Sequence, residues 1–293
     1  MRGSNETGYF HICTDGKAVS WIFQDDEDFI AGVNRIAICK QITGVVVVCF
    51  ILMDNHLHLI LYGTVFQCKE FINNYKRLVG KWISRKYGIS EYLKHLPTDI
   101  IPIETEESLL NTIAYIDRNS IVAGYRYMPR EYPWGTARYM FLDFSSREKE
   151  SFSRLSDFSV RERRSLLKSR MSLPADWEID SKGMISPRMF VDINRLEKIF
   201  KSPARYSYFL AKKLEGEIEA GMENTRKSFL PDKELRAVTR KLIISRFGDR
   251  TEKDLDVKSK LEIAKELRYN YLATIKQVSR MLSLNDELLK KYI

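Results

Sequence analysis

His56 and His58 stand two residues apart in Met53-Asp-Asn-His-Leu-His-Leu-Ile60, directly after an apolar run, and they are two of four histidines in a chain of 293 residues. On a strand, residues two apart project from one face about 6.8 Å apart along it. The two imidazoles therefore point one way, and Leu57 and Leu59 point the other. Imidazole is the commonest metal-ligating side chain, and a pair suits zinc, manganese or iron. With water and phosphate oxygens added, magnesium or manganese would also fit. Folding must bring the third ligand, and periodicity does not choose among the Asp, Glu, Asn and Gln side chains. The plainer alternative is a pair of half-buried histidines on a sheet surface.

The elements that must position this pair are readable from pattern. Gly8 to Cys13 reads as a short strand, Asp25 to Lys40 as a helix with acidic residues in its first turn, and Gly44 to Met53 as a buried strand. Asp54-Asn55 supplies a turn, and His56 to Tyr62 returns as the second arm of a hairpin. Cys68 to Tyr87 follows as a basic amphipathic helix and Glu106 to Asn119 as another helix, with Pro129 and Pro133 in an irregular segment after it. Strand, helix, hairpin, helix and helix together imply an α+β layer on an antiparallel sheet.

The basic helix carries Lys76, Arg77, Lys81, Arg85 and Lys86, of which Arg77, Lys81 and Arg85 recur every four residues and form a stripe. Tyr75, Trp82 and Tyr87 are interleaved with them, and aromatic faces can stack bases at about 1–3 kcal/mol each. A solvated helix face with its aromatics on the sheet is the competing reading. Arg118 and Arg126 are further phosphate-binding candidates.

The polar, serine-containing stretch Asp143 to Ser156 sets an expected boundary near 150, dividing a domain of 1–145 from an all-α domain of 150–293. Helical spacing is read over Phe152 to Met171, Asn194 to Phe200, Arg205 to Gly221, Pro231 to Phe247 and Lys258 to Tyr271. Thr274 can cap a helix from Ile275 to Leu282, Ser283-Leu284-Asn285 makes a turn, and Asp286 to Ile293 closes a helix-turn-helix over 274–293. Lys276, Arg280, Lys290 and Lys291 lean this pair toward DNA, while closure of a helical bundle explains it equally well.

Charge divides in the same way. Of the net +9, residues 1–150 hold 17 Lys+Arg against 18 Asp+Glu, and the remainder holds 31 against 21. A basic half fits a polyanionic partner, since neutralising phosphates releases condensed counterions. Cys13, Cys39, Cys49 and Cys68 show no CxxC spacing, which points to buried reduced thiols rather than disulfides or a zinc cage. The apolar run ending at Met53 falls short of the ~20 residues that span a bilayer, and no basic-then-apolar leader pattern is present. The expectation is a soluble, cytoplasmic protein without membrane association.

Met53-Asp-Asn-His-Leu-His-Leu-Ile60 resembles the HUH signature of single-tyrosine transposases, and above all that of the REP-associated tyrosine transposases, whose hairpin reads M-P-N-H-V-H-L-L. Tyr115-Ile-Asp-Arg-Asn-Ser-Ile-Val-Ala-Gly124 is similar to the family's Y-I-x-x-N-P-x-x-A-G, and Glu131-Tyr-Pro-Trp-Gly-Thr-Ala-Arg-Tyr139 to its D-W-P-W-S-S-Y. The resemblance covers roughly the first 140 residues. It departs at Asp54, Ser120 and Tyr132, where the family has proline, proline and tryptophan.

The resemblance implies a ferredoxin-like catalytic domain in which His56, His58 and Asn119 hold Mg²⁺ or Mn²⁺ and Tyr115 is the nucleophile. Tyr115 and Asn119 are also i and i+4 on one predicted helix, hence neighbours on its surface, while Tyr75 and Tyr87, on the basic helix and outside the matching motifs, are alternative nucleophiles. The implied substrate is single-stranded DNA beside a hairpin, cleaved to a 5′-phosphotyrosine and a free 3′-OH, with a homodimer or a monomer as the working unit. A DNA-binding regulator that keeps the fold without cleaving is one alternative. A rolling-circle initiator or relaxase-like nickase is another.

Overall fold

The computed structural model describes residues 6–16, 18–125, 127–142, 152–212, 230–271 and 273–292. It is mixed α+β. Contacts divide the chain into two units, Met1–Asp117 with Pro129–Leu210, and Arg118–Met128 with Ala211–Ile293.

In the first unit the order is β1 (Gly8–Thr14), α1 (Asp26–Thr43), β2 (Val46–Leu52), β3 (Leu57–Gly63), α2 (Val65–Tyr87), β4 (Thr98–Ile103) and α3 (Glu106–Val122), the last turns of α3 passing into the second unit. The four strands form one antiparallel sheet ordered β2-β3-β1-β4. Register separates its faces. Directly paired residues share a face, so Tyr9, His11 and Cys13 lie with Tyr62, Ile60 and His58, while Phe10 and Ile12 lie with Leu61 and Leu59.

The second of these faces carries the α1–α2 layer. Gly32 of α1 approaches Phe23 and Leu52 so closely that a Cβ would stand 2.6 and 2.9 Å from them. Asp25 caps α1 at the Asp28 N–H, and Thr64 with Gln67 closes a capping box on α2. Between the helices, buried Asp28 accepts from Trp82 Nε1 (2.8 Å), Tyr87 Oη (2.7 Å) and Lys86 Nζ (2.9 Å).

β4 has no counterpart in the sequence reading, because Pro102 and its polar flanks mask the alternation. Proline is tolerated here because β4 is an edge strand. The opposite edge, β2, is covered by the motif at 132–136: Leu52 N–H donates to Trp134 O, Thr136 N–H to Phe50 O, and Tyr132 Oη to Leu52 O. Trp134 stacks on Phe29 with ring centroids 4.9 Å apart.

Segment 143–151, where polar composition places the boundary, lies outside the described residues. Residues 152–210 group with the first unit and are not all helical. Phe152 to Met171, read as one helix, is a short strand β5 (Phe152–Arg154), a 3₁₀ turn and helix α4 (Val160–Leu167). β5 pairs with β6 (Glu178–Asp180), and α5 (Ile193–Phe200) and α6 (Pro203–Ala211) follow. The alternation of one three-residue strand is too short to compete with the helical spacing beyond it.

The second unit's described core gathers α7 (Asp232–Phe247), α8 (Val257–Tyr269), α9 (Ile275–Leu282) and α10 (Asp286–Tyr292) around Leu235, Ile263, Leu267, Val278, Leu282 and Leu289. Thr274 caps α9 in a capping box with Gln277, and Ser283 takes the left-handed conformation that ends it. The expected pair of short helices is therefore present. Arg280, however, is bound to Asp232 (2.6 Å). No helix among the described residues is long and apolar enough to cross a membrane.

Candidate functional site

The hairpin turn is fixed from outside. Met53 N–H closes it onto His56 O, and the Asp54 carbonyl accepts from the N–H groups of Ile22 and Phe23. The backbone of Asp54 thus anchors the turn. Asn55 donates to Gly16 O (2.6 Å) and its Oδ1 meets His56 Nδ1 at 2.9 Å. The His56 ring lies against Gly16, where a Cβ would come within 3.1 Å of Nδ1.

His58, one step into β3, is buried, with its ring 5.1 Å from that of His56 and nearly perpendicular to it. The chain brings a third histidine to it. His11 Nε2 and His58 Nδ1 are 3.0 Å apart and their rings are stacked. Cys13 follows on the same face, directly across the strand pair from His58. The ligand atoms of His11, Cys13 and His58 all lie within 4.8 Å of one another, which makes this a group able to hold a metal ion.

Burial dominates the electrostatics. It lowers the His11 pKa to about 4 against the opposing charge of Asp99. It drives His58 well below the usual histidine range, with His56 and His11 adding to the effect. Both imidazoles are therefore neutral ligands at neutral pH. The Cys13 thiol is pushed up by burial and by the Asp99 carboxylate, while the Asp99 backbone N–H favours its thiolate. These residues fit a divalent cation.

Tyr115 reaches this face from α3. Its ring stands edge-on to His58 at 5.5 Å and to His11 at 6.4 Å, and it remains 39% exposed amid buried neighbours on α3. Two residues on, Asp117 is buried and accepts from Tyr206 Oη (2.7 Å). His11, Cys13, His56, His58 and Tyr115 all belong to the first unit, whereas Asn119 falls in the second, the division passing between Asp117 and Arg118.

The expected DNA-binding cations separate into two kinds. Arg77, Lys81 and Arg85 are exposed along α2, in the helix layer on the sheet face opposite His58. Lys76 instead donates to Leu96 O (2.9 Å), and Lys86 is held by Asp25, Glu27 and Asp28 at 2.7–3.1 Å. Arg118 is buried (3% exposed), which removes it from the surface a phosphate could reach. Arg126 lies outside the described residues. Tyr75 and Trp82 are buried, and Tyr87 is bound to Asp28, so neither tyrosine is placed as an alternative nucleophile.

At the far end of the histidine face a cleft of about 760 Å³ opens between the start of β1, the end of β3, the start of α3 and α5. Arg195 lies 4.5 Å over the Tyr62 ring and donates to Tyr9 Oη. Arg195, Lys198 and Lys201 line the cleft together with Glu104, Glu106 and Asp192, so it is not a basic groove.

His11 and Cys13 are candidate ligands that the sequence alone does not single out. The i, i+2 spacing of two metal-ligating types on a strand was the available signal, the same one that singled out His56 and His58. No protein-family model, curated protein or solved structure matches the chain.

Proposed function

We propose that this chain is a metal-dependent transesterase of single-stranded DNA, transposase-like, with Tyr115 as its nucleophile. The observation that carries this reading is the exposed phenol of Tyr115 set edge-on to two buried neutral imidazoles, His58 and His11. The β-α-β-β-α-β order with strands arranged β2-β3-β1-β4 supports a ferredoxin-like catalytic domain. The three ordered motifs support the same family. One of them, at 132–136, seals the edge of the strand that leads into the hairpin.

A phosphodiester resists a nucleophile because its own charge repels the attack, and a divalent cation supplies neutralisation of a nonbridging oxygen. His58 belongs to both ligand sets in view, His56 with Asn119 as the resemblance has it, and His11 with Cys13 as the geometry has it. The Oη–P bond of Tyr115 forms as the P–O3′ bond breaks, and the phenol's proton balances the alkoxide released as a 3′-OH. Because a phosphodiester linkage is kept, rejoining needs no ATP. Arg77, Lys81 and Arg85, exposed in the helix layer across the sheet from His58, would hold DNA beyond the cleaved stretch, and the helical second unit would add contacts to a hairpin or flank, in a monomer or homodimer.

Incubation of the protein with labelled hairpin-flanked single strands and, in turn, Mn²⁺, Mg²⁺ or Zn²⁺ is expected to give a covalent adduct that maps to Tyr115 and disappears in Tyr115→Phe. An undiminished adduct in that variant would refute the assignment. Salt-sensitive DNA binding with no adduct under any cation would instead support a regulator that no longer cleaves.

A further inference from the structure

We infer that the cation of this site is held by a thiolate-containing set, His11, Cys13 and His58, and is of the zinc class rather than magnesium. His56 stands outside that set. The inference deepens the transesterase reading, on which the choice of a phosphate oxygen as the outside ligand rests.

Backbone register builds the set. His11 and Cys13 are two apart on β1 and share a face, and Cys13 pairs across the sheet with His58. Three side chains are thereby fixed by hydrogen-bonded strands rather than by a loop, which is how a rigid first shell is made. Around a tetrahedral zinc, with bonds of about 2.0–2.3 Å, ligand atoms stand roughly 3.3–3.8 Å apart. The three ligand atoms already lie within 4.8 Å of one another, so side-chain adjustments of about an ångström close the site. At 3.0 Å, His11 Nε2 and His58 Nδ1 share one proton. A cation in that proton's place needs the rings to part by a few tenths of an ångström.

The donor types then select the ion. Thiolate is a soft ligand that favours zinc and its borderline neighbours, whereas magnesium takes oxygen and keeps its waters. Two histidines and one cysteine leave one position of a tetrahedron for an outside oxygen, the pattern of a zinc site that does chemistry rather than one that only staples a fold. The group whose ligand atoms lie within 4.8 Å of one another does not include His56. The other three cysteines are fully buried in the core and share no metal-ligating group among the described residues.

Cobalt reads the set directly. The full-length chain, stripped with a chelator and titrated with Co²⁺, is expected to bind one equivalent with a thiolate-to-cobalt charge-transfer band and the intense visible bands of four-coordinate cobalt, both erased by stoichiometric zinc. Cys13→Ser should lose the charge-transfer band, and His11→Gln should weaken cobalt binding by more than about tenfold, with circular dichroism confirming that each variant is folded. His56→Ala should leave the bands in place. Weak six-coordinate spectra in the wild type, a charge-transfer band that survives Cys13→Ser, or bands abolished by His56→Ala would each overturn the set. The adduct assay separates the two claims. Cobalt bands without any Tyr115 adduct would leave the thiolate site standing and sink the transesterase, whereas a full magnesium-dependent adduct in Cys13→Ser would do the reverse.

Discussion

Replacing Lys86 with alanine should unfold this protein more readily without changing how it meets DNA, although Lys86 belongs to the same basic helix as the exposed stripe. Its ammonium sits between Asp25, Glu27 and Asp28 at 2.7, 3.1 and 2.9 Å, over the rings of Trp82 and Tyr87. The Lys86 side chain is 21% exposed, and that of Asp28 is fully buried. Removing one partner of a buried ion pair costs about 3–5 kcal/mol, because the other charge stays buried. Here Asp28 keeps donors from Trp82, Tyr87 and the Gln24 N–H, and Asp25 and Glu27 are half exposed or more, so about 2–3 kcal/mol is expected. Urea denaturation should show it as a lower midpoint at unchanged slope. The pH dependence has a definite sign. Burial works against the charge, and the hydrogen bonds to Asp25, Asp28 and Glu27 outweigh it, holding the Lys86 pKa above the usual lysine range. The contribution is therefore fully present below about pH 10.4, the unfolded value, and is lost as pH rises beyond it. The triple variant Arg77→Ala, Lys81→Ala, Arg85→Ala should behave oppositely, with stability changed by less than about 0.5 kcal/mol per site and the salt slope of single-strand binding reduced by about 2. An unchanged urea midpoint in Lys86→Ala, together with a reduced salt slope, would refute the division of these cations.

Gly32→Ala should destabilise by about 1–2 kcal/mol despite alanine's better helix propensity, since its Cβ would overlap Phe23 and Leu52, whereas Gly80→Ala, with open space around it, should stabilise by up to about 1 kcal/mol in the same denaturation assay. Thr274→Ala removes the α9 capping box and should cost about 1 kcal/mol, read as earlier amide exchange in α9. Trp134→Ala strips the stacking on Phe29 and should cost about 3–5 kcal/mol, measured by thermal melting, because it opens a cavity beside the edge of β2.

Local chemistry made much of this protein legible. The hairpin around Asp54-Asn55, the stripe on α2 and the Thr274 cap each depend on residues within a few positions of one another, so pattern and propensity suffice to find them. The spacing of His56 and His58 drew attention to β3 for the same reason, and Tyr115 was singled out by its motif. What lay beyond reach was decided by distance along the chain. That His11 and Cys13 join His58 follows from β1 pairing with β3, and no periodicity within either strand encodes which strand lies next to which. That Lys86 and Arg118 are held or buried while Arg77 is exposed follows from what packs against each helix, since all three look alike as charged residues on an amphipathic pattern. Side-chain type and spacing thus determined the kinds of chemistry available, and the pairing of strands and layers determined which groups share a face, because burial and register are properties of contacts formed only in the folded chain.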